Sequence, residues 1–223
     1  MTNIAVQKSS VLFLIAITIA NPESNKGKIY LDSYSVVRAV IRLRWIRMFT
    51  WLKKRRKYAN FFEAPTKELK ELSVSEEWLS TYGVEHGYDE KSLVACNNQW
   101  PDCEVKMYSG GLCGIEVTEL VDQECIERNE NNQDVYRLWN DDEIIEAIER
   151  RLKDKNTKSH GGKYQKLIVL IHTDEIEITS DRGNEAIGAH TFSGFKNIDD
   201  AYLVYSYEPS NQGYPITSIK LSD

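Results

Sequence analysis

Asp102 and Glu116 are the two residues whose type and position most directly suggest chemistry, and both lie between residues 101 and 120. Each accompanies a short run of strand-forming residues, and Ser109-Gly110-Gly111 between the runs is a turn signal that predicts a hairpin. A hairpin would bring the two carboxylates to one end of a sheet, where they repel each other unless a cation lies between them. Carboxylate oxygens are hard ligands that suit Mg²⁺ or Mn²⁺. The pair therefore predicts a metal site, provided that the carboxylates lie within roughly 8 Å of each other.

The predicted hairpin consists of a strand at Cys103–Tyr108 and a strand at Gly114–Leu120. Alternate residues of a strand point to the same face of a sheet, so Thr118 is expected on the same face as Glu116. The alternative to a metal site is an ordinary hairpin whose two carboxylates are solvated. The spacing alone does not decide between the two.

The residues Pro101-Asp102, the glycine-containing turn and the run Ile115-Glu116-Val117-Thr118 resemble the PD-(D/E)xK restriction-endonuclease-like superfamily. In that superfamily the Asp and the Glu bind a metal ion that activates water for phosphodiester hydrolysis. The resemblance implies that Asp102 and Glu116 hold Mg²⁺ or Mn²⁺, with the Val117 carbonyl as a third ligand. It also implies that the chain acts on DNA or RNA.

Thr118 stands where the superfamily pattern has a lysine that helps to activate the attacking water. A threonine can hydrogen-bond that water, but it carries no charge and is a poor base at neutral pH. The resemblance therefore implies a nuclease that is weak or inactive unless another lysine takes over this role. The sequence offers Lys106 on the neighbouring strand and Lys153 or Lys155 on the following helix, and spacing does not choose among them.

A helix beginning after Thr66 is predicted before the hairpin, and Thr66 is its candidate N-cap. The resembled superfamily carries a Glu on the corresponding helix that supports the metal site. Glu71 is the preferred candidate for this role here and Glu68 is the other. The solvated face of an amphipathic helix is the alternative explanation for either residue.

The remaining elements complete a mixed α/β pattern. Asp141–Asp154 has apolar residues at helical spacing and a capping residue at Asn140 or Asp141, so a helix is predicted there. Leu167–His172 is a continuous apolar run, which is typical of a central strand covered on both faces. Further elements predicted on similar grounds are a first strand at Ser92–Cys96 after a polar connection at Tyr82–Glu90, a loop or mobile helical turn at Asp122–Gln133, a short helix at Asp181–His190, and strands at Ala201–Tyr207 and Ile216–Leu221.

This order predicts an α/β fold with a mixed central sheet flanked by helices. From about residue 66 to residue 172 it is the α-β-β-β-α-β order of the restriction-endonuclease-like core. The resemblance thus covers about half of the chain, and the predicted domain takes in residues 61–223.

The charge of the chain is divided between two segments. Residues 1–60 contain 12 Lys and Arg against two acidic residues, whereas residues 61–223 contain 16 against 32. The basic charge gathers in Ser35–Tyr58, which reads as one helix that also carries aromatic residues and forms an N-terminal basic extension. Such a helix suits phosphates, an anionic membrane surface or the acidic body of the same chain. If it binds nucleic acid, the residues expected to do so are Arg42, Arg47, Lys53, Lys54, Arg55 and Arg56.

The apolar stretch Val11–Ala20 is too short to span a bilayer as a helix. It reads either as a buried strand or as the core of a signal peptide, although Lys8 is the only positive charge before it. The four cysteines and four histidines show no zinc-ligand spacing, and no motif of another common enzyme class occurs. A reduced, cytoplasmic protein is expected on these grounds, with export as the alternative.

Two functions from different classes follow from the sequence. The first is a metal-dependent nuclease with Asp102, Glu116, Thr118 and Glu71 at its site. The second is a non-catalytic protein of the same fold that binds nucleic acid or a protein partner through its basic extension. The sequence does not identify a protein partner.

Overall fold

A six-stranded mixed sheet flanked by helices forms the centre of the computed structural model, which describes residues 64–96, 100–133, 135–157 and 162–222. The helices are α1 (Lys67–Trp78), which continues into a π-helical turn at Leu79–Gly83, α2 (Gln123–Glu130), α3 (Asp141–Lys155) and α4 (Ser180–Gly188). The strands are β1 (Tyr88–Ala95), β2 (Cys103–Met107), β3 (Leu112–Leu120), β4 (Lys166–Thr173), β5 (Phe192–Ser193), β6 (Asp200–Tyr205), β7 (Ile216–Ile219) and β8 (Leu221–Ser222). The apolar stretch Val11–Ala20 and the predicted basic helix Ser35–Tyr58 lie outside the described residues.

The strand order in the main sheet is β1-β2-β3-β4-β6-β7, while β5 and β8 pair separately. Strands β1, β2 and β3 form an antiparallel meander, β3, β4 and β6 run parallel, and β7 returns antiparallel to β6. The prediction of a mixed α/β domain with a central sheet between helices is confirmed. The apolar run Leu167–His172 is buried in β4, at the centre of the sheet, as its composition predicts.

The core has two parts, one on each face of the sheet. Ile168 and Leu170 of β4 pack with Val74 and Trp78 of α1 on one face. Val169 and Ile171 alternate with them and pack with the apolar side of α3 and α4 on the other face. Helix α1 therefore covers one face, and α3 with α4 covers the other.

N-cap residues determine where the two helices that flank the candidate site begin. Thr66 caps α1 by accepting the N–H of Leu69. Asn140 caps α3 and forms a reciprocal capping box with Glu143. Both caps satisfy N–H groups that have no partner within the helix. Among the residues that the structure describes, no helix is long and apolar enough to cross a membrane.

Two predicted elements differ from the structure. The segment predicted as a loop or mobile turn after Asp122 contains the regular helix α2, because Asp122 caps it and Cys125 and Ile126 anchor it in a small apolar cluster. Strand β1 starts at Tyr88 rather than Ser92, so part of the predicted polar connection is strand. The first half of this edge strand contains charged residues, so it lacks the apolar run by which a strand is predicted from sequence.

All four cysteines are free thiols, and Cys103 and Cys113 are buried on β2 and β3. Burial raises the pKa of both thiols to about 12, so they act as small apolar groups of the core.

Candidate functional site

The candidate site lies where β2 begins beside the longer strand β3. Pairing between the two strands ends at Cys103 and Ile115, whereas β3 continues to Leu120. Asp102, immediately before β2, accepts the N–H of Val117 at 2.8 Å through Oδ2. The carboxylate thus replaces a backbone partner for a strand N–H that needs one. This hydrogen bond fixes Asp102 next to the second half of β3.

Lys155, at the end of α3, joins Asp102 to Glu116. Its Nζ lies 2.5 Å from Glu116 Oε2 and 3.4 Å from Asp102 Oδ2. Because both distances start from one nitrogen, the two carboxylate oxygens are closer together than the sum of 2.5 Å and 3.4 Å. This separation is within the limit of roughly 8 Å for two carboxylates that share one cation.

Glu116 is 2% exposed, so its charge is almost completely withdrawn from water. A buried carboxylate without a positive partner is strongly unfavourable, and Lys155 supplies that partner. The Lys155 side chain itself is 21% exposed, so this lysine is less buried than the carboxylate that it contacts. The site therefore combines a buried carboxylate, Glu116, with a partly exposed lysine, Lys155.

Helix α1 contributes a second ion pair from the opposite side of Asp102. Lys67 Nζ lies 3.0 Å from Glu71 Oε1 and 3.9 Å from Asp102 Oδ1. Burial raises the pKa of Glu71, and the nearby Asp102 carboxylate raises it further, against the effect of Lys67. The ion pair with Glu71 in turn raises the pKa of Lys67.

Glu71, the candidate preferred on α1, thus lies beside Asp102, while Glu68 is not among the contacts of the site in the described residues. Lys67 was not singled out in the sequence. Its spacing of four residues from Glu71 on one helix is the signal that could have identified it.

The three candidate replacements for the motif lysine differ in whether they contact the two carboxylates of the site. Lys155 contacts both carboxylates. Lys153 projects from a different side of α3 and pairs with Glu149 at 3.2 Å, and Lys106 is exposed on β2. Thr118 is half-buried two residues after Glu116 on β3. Of the three lysines, only Lys155 is brought to the predicted site.

The donor set offers oxygens of the kind that Mg²⁺ and Mn²⁺ prefer. Residues of a strand direct their N–H and C=O to the same edge, so the Val117 carbonyl points to the edge where its N–H meets Asp102. Within the described residues, no three His, Cys, Asp or Glu side chains form a group that could hold a metal ion. Mg²⁺ commonly uses only one or two protein carboxylates and takes its other ligands from water and substrate. Asp102 and Glu116 with the Val117 carbonyl fit that mode of binding.

Comparison with protein-family models, curated proteins and solved structures gives no match for this chain. The residues predicted to bind nucleic acid, from Arg42 to Arg56, lie outside the described part of the chain.

Proposed function

We propose that the described domain is a restriction-endonuclease-like, metal-dependent nuclease that hydrolyses phosphodiester bonds of DNA or RNA. The observation that carries this proposal is the contact of Lys155 with both Asp102 and Glu116. It joins one ammonium group to the two carboxylates, which supports Lys155 as the substitute for the lysine that the PD-(D/E)xK pattern has where this sequence has Thr118.

The order and direction of the elements support the finer assignment of the fold. Helix α1, the antiparallel meander β1–β3, helix α3 and the parallel strand β4 follow the α-β-β-β-α-β order of that core. The short helix α2 is inserted between β3 and α3.

Asp102 and Glu116 would hold the ion, with the Val117 carbonyl beside them. When bound, Mg²⁺ or Mn²⁺ polarises the phosphate and lowers the pKa of a coordinated water. The carboxylate of Asp102 is fixed for this purpose by the N–H of Val117. The low exposure of Glu116 keeps water from screening the electrostatic interactions at this position.

Lys155 supplies the positive charge that Thr118 lacks. Its ammonium group reaches the carboxylates from α3 rather than from β3, and its side chain is only partly buried. A fixed cation at this point stabilises the negative charge that develops on the phosphate in the transition state. Thr118 can orient water by hydrogen bonding, and Glu71 supports Asp102 from α1.

The test of this function is cleavage of mixed DNA and RNA, both single-stranded and duplex, by the purified full-length protein. We expect cleavage with Mg²⁺ or Mn²⁺ that stops when a chelator is added. Cleavage that continues unchanged in the chelator would contradict a metal-dependent mechanism.

A non-catalytic binding protein of the same fold is the second candidate. The observation that favours it is that Lys155 and Lys67 already neutralise most of the acidic charge at the site. Absence of cleavage with either metal on every substrate, together with retained nucleic-acid binding, would support this second function.

A further inference from the structure

A second polar cluster lies on β2 next to the candidate site. Glu104 Oε2 accepts a hydrogen bond from Lys163 Nζ and another from the Tyr164 hydroxyl, both at 2.9 Å. Lys163 Nζ also donates to the Tyr164 oxygen at 2.7 Å. Glu104 and Tyr164 hold the Lys163 ammonium group at a defined position.

The cluster shares a sheet face with the site. Glu104 on β2 and Glu116 on β3 both alternate with residues that pack in the core under α1, so the side chains of these two glutamates lie on the same face of the sheet. The opposite face of β2 carries the buried residues Cys103 and Val105, which pack in the core under α1. Lys163 therefore lies on the side of the sheet from which Lys155 reaches Asp102.

The partners of Lys163 are anchored more firmly than those of an ordinary surface ion pair. Tyr164 is buried and packs edge-on against Trp100, with ring centroids 5.8 Å apart. The Lys163 ammonium also lies 4.7 Å from the centroid of the Tyr164 ring. Hydrogen bonding to Tyr164 and Glu104 raises the pKa of Lys163, so the ammonium stays charged at neutral pH.

Lys163 keeps a donor for a ligand. An ammonium group has three N–H bonds, and Glu104 and Tyr164 take two of them among the described residues. The side chain is 59% exposed, so the third N–H can reach a solvent-borne anion. Lys155 has the same arrangement, since Asp102 and Glu116 take two of its donors.

We infer that Lys163 binds the phosphate adjacent to the one attacked at Asp102 and Glu116, so that the two lysines contact successive phosphates of one nucleic-acid strand. Asp102, which Lys155 contacts, and Glu104, which Lys163 contacts, are two residues apart, or about 7 Å of extended backbone, which places the two lysines to reach neighbouring phosphates. This inference deepens the proposed nuclease function and rests on it. Glu104 and Tyr164 act as positioning residues that hold the ammonium in place.

The test measures binding separately from cleavage. The full-length protein is titrated into a fluorescent single-stranded DNA or RNA oligonucleotide in chelator at several salt concentrations. The variants are Lys163→Ala and, as a matched control, Lys153→Ala, which removes an exposed lysine from another carboxylate. We expect Lys163→Ala to raise Kd on the order of tenfold, as for loss of a charged hydrogen bond. The slope of log Kd against log salt should fall by about 0.7, the value for one phosphate contact on a single strand.

Lys163→Arg should retain most of the affinity and the slope, because it keeps the charge. Equal binding by Lys163→Ala and Lys153→Ala, or no oligonucleotide binding by the wild-type protein, would overturn the inference. Failure of the nuclease function gives a different result, in which the wild-type protein cleaves nothing while the Lys163 effect on binding remains.

Discussion

At the residue scale, Lys155 changes what the departure at Thr118 means. A lysine that follows the Glu by two residues on the same strand is one way to place an ammonium group next to two carboxylates. Helix α3 achieves the same contact from across the sheet face, with Nζ 2.5 Å from Glu116 Oε2. In the proposed nuclease, the position of the positive charge matters and not the element that carries the lysine.

The role of Lys155 can be tested by removing this lysine from α3 and then placing a lysine at Thr118 on β3. We expect Lys155→Met to lower metal-dependent cleavage by about 100-fold or more, in the range for loss of one transition-state electrostatic contact. Lys153→Met should leave the rate near that of the wild type. Adding Thr118→Lys to Lys155→Met should restore part of the activity.

Lys155→Met also leaves Glu116 as a buried carboxylate without its partner, which destabilises the fold. Thermal unfolding of each variant separates this effect from a loss of chemistry. A folded Lys155→Met protein with wild-type cleavage would show that Lys155 has only a structural role.

At the element scale, Asp122 shows how one carboxylate secures α2. Burial would raise the pKa of Asp122, but the N–H of Cys125 and the guanidinium of Arg137 outweigh burial and lower it. A carboxylate with a lowered pKa stabilises the folded state above its unfolded pKa of about 3.9, and this contribution is lost as the pH falls through the folded value.

We expect Asp122→Ala to lower the free energy of unfolding at pH 7 by about 1–2 kcal/mol, because it removes the cap and the ion pair. Asp122→Asn keeps the cap and should cost less. Denaturant unfolding between pH 7 and pH 3 should show the wild-type advantage over Asp122→Asn shrinking toward acid. An advantage that stays constant down to pH 3 would contradict the assigned ion pair.

The packing of α4 depends on Gly183, where the helix backbone closely approaches the side chain of Tyr205. A Cβ at Gly183 would overlap the ring and hydroxyl of the buried Tyr205, whereas a Cβ at Gly188 would meet open space. We expect Gly183→Ala to destabilise the protein by about 1–3 kcal/mol through overpacking, despite the better helix propensity of alanine. Gly188→Ala should be neutral or slightly stabilising in the same denaturation experiment. Equal effects of the two substitutions would contradict the packing of Tyr205 on α4.

The elements that sequence predicts best are those set by local patterns. The apolar run at Leu167–His172 is buried whatever surrounds it, and the cap at Asn140 is a contact within its own helix. Strand β1 was predicted too short, because its exposed edge carries charged residues. Helix α2 is not predicted as a regular element, because two of the features that hold it, the pairing of its cap Asp122 with Arg137 and the apolar cluster around Cys125 and Ile126, depend on tertiary structure.

The candidate site also has a part that local sequence predicts and a part that depends on tertiary packing. The hairpin signal predicts that Asp102 and Glu116 come together, since Asp102 immediately precedes β2 and Glu116 lies on the adjoining strand β3. The choice of Lys155 over Lys106 and Lys153 depends on how α3 packs across the sheet. A long side chain reaches different partners for small changes in that packing, so sequence spacing cannot make the choice.

At the scale of the whole molecule, the chain combines an acidic segment from residue 61 onward with a basic N-terminal segment. A phosphate backbone is repelled by acidic surface and attracted by local cations. In the described domain, Lys155, Lys163 and Lys67 form such a local set around Asp102 and Glu104. The proposed substrate strand would follow these lysines across an otherwise acidic body.

The most direct test of the nuclease proposal compares the full-length protein with an Asp102→Asn, Glu116→Gln double variant in a cleavage assay with Mg²⁺ or Mn²⁺. These substitutions keep the size of both side chains while removing the charges that would hold the ion, and circular dichroism reports whether the variant is folded. We predict metal-dependent cleavage by the wild-type protein and at least a 100-fold loss in the folded double variant, on the order expected when a site loses its main electrostatic contacts. Equal metal-dependent cleavage by the two proteins would contradict the assignment of Asp102 and Glu116 as the centre of the site.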